Sequence, residues 1–132
     1  MEEFDKACSQ LLVARQPEGA ATSASTLGDV IGFVCFWSVA GEVQILDIAV
    51  RRDLRRSGIG RELIESAIRA GRRENAVRVT LEVRESNVAA RKLYESLGFI
   101  VVGCRPNYYA VTNEPAILME LDIAMHRERD DA

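Results

Sequence analysis

Residues 43–84 read VQILDIAVRRDLRRSGIGRELIESAIRAGRRENAVRVTLEVR, and three patterns succeed one another within them. Val43 to Val50 is an apolar run of strand length. From Gly58 to Arg73, Ile59, Leu63, Ile64, Ala67 and Ile68 share one face at a 3.6-residue period while Arg and Glu fill the other, which predicts a helix. Val77, Val79, Leu81 and Val83 then alternate with Arg78, Thr80, Glu82 and Arg84, the two-residue period of a strand with one apolar face. A strand, helix, strand unit of this length crosses over right-handed and leaves its strands parallel.

Working outward, the run Val30 to Val39 lies three residues before Val43, and Ala40-Gly41-Glu42 between them is a hairpin turn. Downstream, Ser86 or Asn87 can cap a helix whose Ala90, Leu93 and Leu97 share a face, and Gly98 is placed to end it. Phe99 to Gly103 and Ala116 to Ile123 read as two last strands. Upstream, Phe4, Ala7, Cys8, Leu11 and Leu12 recur at three and four residues, which predicts a short amphipathic helix from Glu3 to Arg15. Gln16 to Gly28, with Pro17, Gly19 and a Ser/Thr/Ala cluster, reads as a loop. The expectation is one α/β domain over residues 1–132, a mixed sheet flanked by helices, with residues 1–29 as helix and loop and 126–132 as a disordered tail.

Composition narrows the chemistry. With 132 residues, 48% hydrophobic, one packed core is expected. The single histidine, His126, lies in the terminal run, so zinc sites and Ser-His-Asp or Cys-His catalysis lose their usual ligand or base and no metal is expected. Cys8, Cys35 and Cys104 share no ligand or disulfide spacing and read as reduced thiols of a cytoplasmic protein. No stretch is long enough to span a membrane, and the start has no secretory pattern. A net charge of −3 argues against nonspecific nucleic-acid binding.

Against that acidic balance, Arg51 to Arg61 holds five arginines and one aspartate. Gly58 and Gly60 fall where a strand-to-helix loop becomes the first helical turn, whose outward N–H groups make an anion site. Glycines let a pyrophosphate approach the backbone, and arginines add charge-assisted hydrogen bonds. On spacing alone the glycines can equally serve only to tighten a turn. A dinucleotide fingerprint wants glycine at position 63, which is Leu63, and a triphosphate loop wants a lysine that is absent.

Arg55-Arg56-Ser57-Gly58-Ile59-Gly60, preceded by Ile48-Ala49-Val50, resembles the acetyl-coenzyme A signature of the Gcn5-related N-acetyltransferase superfamily. Leu81-Glu82-Val83-Arg84, Ser86-Asn87, Leu93 to Phe99 and Arg105-Pro106-Asn107-Tyr108-Tyr109 narrow the likeness to the bacterial ribosomal-protein-alanine N-acetyltransferases, from about Gly32 to Ile123. The resemblance implies a mostly antiparallel sheet with a central parallel pair, in which the family's usual first strand and helix are missing, since little sequence precedes Val30. It implies that Ile48, Ala49 and Val50 pair with the pantetheine arm, and that Arg55, Arg56, Ser57, Gly58, Ile59, Gly60 and Arg61 hold the pyrophosphate of acetyl-coenzyme A. Asn87 then anchors the coenzyme's amide arm. Glu82 receives the amine's proton and contacts the acceptor, Tyr94 protonates the departing thiolate, and Tyr108 and Tyr109 line the peptide groove. The implied acceptor is a protein N-terminus, the N-terminal alanine of a small-subunit ribosomal protein. A small free amine as acceptor, a coenzyme-binding subunit without turnover, and a homodimer stay open.

Elementary acid–base chemistry favours that acceptor. At pH 7 an α-amine with pKa near 8 is about one tenth neutral, and a lysine side chain about one part in 2,500, a difference of roughly 3 kcal/mol. A site with one modest base therefore suits an N-terminus better than a lysine. An ordinary glutamate lies roughly 5 kcal/mol from the α-amine, so Glu82 needs burial or a water relay, or else mainly binds the ammonium. Without the resemblance Glu82 reads as a polar residue on a solvated strand face and Tyr94 as an aromatic at the edge of the core.

Overall fold

A computed structural model describes residues 9–16, 30–109 and 113–124; for Ser9, Asn107 and Tyr109 it describes the backbone. Within it β1 (Ser9–Arg15), β2 (Val30–Val39), β3 (Glu42–Val50), α1 (Ile59–Arg73), β4 (Arg78–Arg84), α2 (Val88–Ser96), β5 (Ile100–Tyr109) and β6 (Glu114–Asp122) follow in order. Among the described residues the strands make one sheet in the order β1-β2-β3-β4-β6-β5. Only β3 and β4 pair in parallel, as the crossover through α1 demands; every other neighbouring pair is antiparallel.

Local chemistry explains the connections. Ala40 and Gly41, at φ 54° and 82°, form a two-residue hairpin loop in the left-handed region, whose twist matches that of the flanking strands. At the end of α2, Phe99 N–H donates to the Tyr94 carbonyl and Gly98 N–H to that of Glu95, both at 3.0 Å. This is the six-to-one and five-to-two pattern of a glycine-terminated helix, and the hydrophobic contact that accompanies it is the Tyr94 ring against Phe99. The core sits between the sheet and the helices: Val34, Phe36, Val43, Ile45, Val79, Leu81, Val83 and Met119 meet Leu63, Ile64, Ala67 and Tyr94.

Three expectations change. Ser9–Arg15 is a strand antiparallel to β2, not the second half of a helix; residues 1–8 lie outside the described residues, as do 17–28 of the expected loop and His126. Leu12 and Ala14 pack on the core while Leu11 and Val13 face outward, the alternation that the ladder to β2 imposes on a segment whose apolar spacing suited a helix equally well. The sheet position beside β2, expected to be missing with the family's first strand, is thus filled. Finally, β5 runs past Gly103 to Tyr109, because it lies at the sheet edge, where the N–H that Pro106 lacks has no ladder to serve.

Candidate active site

The site begins with an irregularity in β3. Cys35 of β2 faces Asp47 and Phe36 faces Ile45, so Leu46 is an extra residue bulged out of the ladder. The bulge reverses the inward alternation: Val43 and Ile45 point into the core before it, Ile48 and Val50 after it. On its other edge β3 pairs with β4 only from Glu42 to Gln44, opposite Arg78 to Thr80. Beyond Gln44 the two parallel strands part. Ile48, Ala49 and Val50 keep their partners Val34, Phe33 and Gly32 in β2, and their second edge faces an open seam. An extended ligand with its own amides can complete that edge.

At the mouth of the seam the loop from Arg51 folds on itself. Leu54 N–H donates to the Arg51 carbonyl at 2.9 Å, and the Ser57 hydroxyl donates to the Leu54 carbonyl. Arg56 (φ 69°) and Gly58 (φ 91°) both take left-handed conformations, the first an unfavourable one for a side-chain-bearing residue. Gly58 opens α1 with no side-chain cap, so the N–H groups of Ile59, Gly60 and Arg61 lack intrahelical acceptors. A Cβ at Gly58 would meet nothing within 4 Å, and one at Gly60 would only touch Leu93 at 3.4 Å and Val50 at 3.9 Å. The protein does not use the space these glycines leave, and a pyrophosphate fits its chemistry of bare N–H groups and nearby guanidinium groups.

The five arginines are not equivalent. Arg51 is bound to Asp53 at 2.9 Å, a pair that raises the guanidinium and lowers the carboxyl. Arg55 folds back on the Val50 carbonyl at 3.3 Å. Arg61 donates to the Ser96 hydroxyl at 2.7 Å and lies 3.6 Å from Glu65. Arg56, and Arg52 which sequence reasoning did not single out, are exposed and bound to no side chain among the described residues.

Asn87 caps α2, its Oδ1 accepting from Ala90 N–H at 3.2 Å, which leaves the side-chain NH₂ as a donor at the rim. Glu82 and Tyr94 are not side by side. Tyr94 is 5% exposed on the helix-covered face, and burial, with the charge of Asp47 adding to it, pushes its phenol up. Glu82, between the inward Leu81 and Val83, points to the opposite face. There it lines a cavity of about 250 Å³ with Glu42, Gln44, Thr80, Arg105 and Glu120. The sheet lies between the two.

Sequence reasoning missed Arg105, although it lies in a quoted motif. Its guanidinium binds Glu82 at 2.9 Å and stacks over the Tyr108 ring at 5.1 Å. The pair joins β5 to β4 across β6, a contact no spacing signals. Tyr108 is half exposed beside it, and the Tyr109 side chain lies outside what is described.

The model of the acetyltransferase (GNAT) family matches residues 1–99. The chain belongs to this acetyltransferase family. Among its relatives, the [ribosomal protein bS18]-alanine N-acetyltransferase of Escherichia coli is 42% identical over 100 residues, covering 74% of this chain and 68% of the relative. The crystal structure of the Escherichia coli ribosomal-protein-S18-alanine N-acetyltransferase superposes with a TM-score of 0.68 at 40% identity, covering 75% of this chain and 65% of that one. A Bacillus anthracis acetyltransferase solved in complex with acetyl coenzyme A gives a TM-score of 0.73 at 27% identity over 92% and 66% of the two chains. This GNAT chain therefore spans about two thirds of the length of these relatives. Its mostly antiparallel sheet, parted at the one parallel pair, is the architecture that the resemblance implied.

Proposed function

We propose that this chain moves the acetyl group of acetyl-coenzyme A onto the α-amine of a protein N-terminus, with the N-terminal alanine of a small-subunit ribosomal protein as acceptor. The observation that carries the reading is the seam itself, with a carboxylate on one face of the sheet and a protonated phenol on the other. Acetyl-coenzyme A supplies the thioester. The α1 N-terminus and Arg56 bind its phosphates, the open edge of Ile48 to Val50 and the Asn87 amide orient its arm, and the acceptor comes from the Glu82 face. As the amine nitrogen bonds to the acetyl carbon it sheds a proton to Glu82, directly or through water. As the carbon–sulfur bond breaks, the sulfur takes a hydrogen bond from Tyr94.

Burial makes Tyr94 a weaker acid than a free phenol, which already gives its proton to a thiolate uphill by about 2 kcal/mol. Its part is thus to donate a hydrogen bond to developing charge, with solvent completing the protonation. The names of the Escherichia coli relatives support the alanine acceptor, as does the lower deprotonation cost of an α-amine.

The test incubates the protein with acetyl-coenzyme A and peptides beginning with alanine, with serine, or with a blocked N-terminus, and reads products by mass. One acetyl on the alanine peptide's α-amine is expected. Acetylation of lysine side chains or small amines alone rejects the acceptor, and coenzyme binding without thiol release on any amine rejects catalysis. Glu82→Gln should lower kcat by at least about tenfold at unchanged coenzyme affinity.

A further inference from the structure

Three carboxylates line the cavity on the acceptor face, those of Glu42 on β3, Glu82 on β4 and Glu120 on β6. Of these three, Glu82 alone is held by an ion pair among the described residues, through Arg105 Nη2 to its Oε2 at 2.9 Å. Residues 105 and 108 of a regular strand would point to opposite faces. Here the β5 register runs from Arg105 opposite Ala116 to Tyr109 opposite Glu114, so β5 spends four steps where β6 spends two. This irregularity brings the Tyr108 ring under the Arg105 guanidinium, 5.1 Å from its centroid. The fold interrupts a strand at this place, and the result is a chain of contacts from the acceptor rim to one chosen carboxylate.

We infer that Arg105 is a positioning residue of acetyl transfer: it fixes the Glu82 carboxylate by one oxygen, leaves Oε1 turned to the incoming amine, and ties that carboxylate to the Tyr108 rim. The inference rests on the proposed role of Glu82. Arg105 touches neither acetyl-coenzyme A nor the reacting nitrogen and acts through the carboxylate it holds. Its positive charge beside Glu82 also disfavours a second cation there, which favours the amine in its neutral, reactive form over its ammonium form. Glu42 and Glu120, which no guanidinium holds among the described residues, line the same cavity without such a tie.

A double-mutant cycle tests this, with kcat and both KM values measured on an alanine-led peptide for the wild type, Arg105→Ala, Glu82→Gln and the double variant. Arg105 is half exposed on an edge strand, so its alanine variant keeps the fold. Arg105→Ala is expected to lower kcat about fivefold, the factor matching the upper range for a half-exposed ion pair, with the KM for acetyl-coenzyme A within twofold. In the Glu82→Gln background the same change should do nothing further, because the group through which Arg105 acts is gone. Equal losses in both backgrounds, or no loss in the wild-type background while Glu82→Gln is slow, overturn the inference alone. A Glu82→Gln enzyme as fast as the wild type overturns the role of Glu82 and the inference with it.

Discussion

Replacing Gly60 by alanine should make the protein more stable and worse at binding its coenzyme. Gly60 lies in the first turn of α1 with an ordinary helical backbone, where glycine costs about 0.5–1 kcal/mol relative to alanine. The new methyl would touch Leu93 at 3.4 Å and Val50 at 3.9 Å, ordinary van der Waals distances, so no strain offsets that gain. For a chain of 132 residues this corresponds to a rise in Tm of about 2–4 °C. The methyl would also stand between the end of β3 and α2, where the proposed binding mode brings the coenzyme's phosphates and arm to the backbone. Affinity for acetyl-coenzyme A should fall at least about tenfold, or roughly 1.4 kcal/mol. Differential scanning fluorimetry and titration calorimetry on the same preparation measure both. A variant that is more stable and binds the coenzyme as tightly as the wild type refutes the placement of the phosphates. A fall in Tm refutes the claim that the protein leaves this space unused.

The arginines of the loop should separate by their existing partners. Arg56→Ala should weaken coenzyme binding about tenfold, with the loss shrinking at high salt, while Arg61→Ala, already tied to Ser96 and Glu65, costs less than about threefold; calorimetry at two ionic strengths decides. Tyr94 predicts an alkaline signature. Its folded pKa is raised, so its contribution to stability is fully present below the unfolded value near 10 and is lost as pH rises through the folded value. The wild-type Tm should therefore fall more steeply than that of Tyr94→Phe above about pH 10 and in parallel with it below, and parallel curves throughout would show that burial does not perturb this phenol.

Much of this was legible because local chemistry and tertiary packing agree. The 3.6-residue face of Ile59 to Ile68, the alternation of Val77 to Arg84, the Ala40-Gly41 turn and the Gly98 stop each name their element, and the structure keeps them. Leu11 and Leu12 mislead because two adjacent apolar residues satisfy either period, and only pairing with β2 decides between them. Tyr94 reads from the sequence as an aromatic at the edge of the core, and the structure places it there, buried against Phe99 at the end of α2; a catalytic part for it comes from the family resemblance, not from its spacing. Arg105 was out of reach, since 23 residues and an intervening strand separate it from Glu82, and only the strand order makes them neighbours.

Leu46 carries a consequence of a different kind. It is a side chain of no reactivity, more than one third exposed, whose effect is to make one strand count one residue longer than its neighbour. A chain shortened by that single position would restore even parity and pair β2 with β3 without interruption. Such a protein would keep its arginines and lose the local bend and extra twist that a bulge imposes, so the course of β3 along the seam is set by a miscount and not by any reactive group.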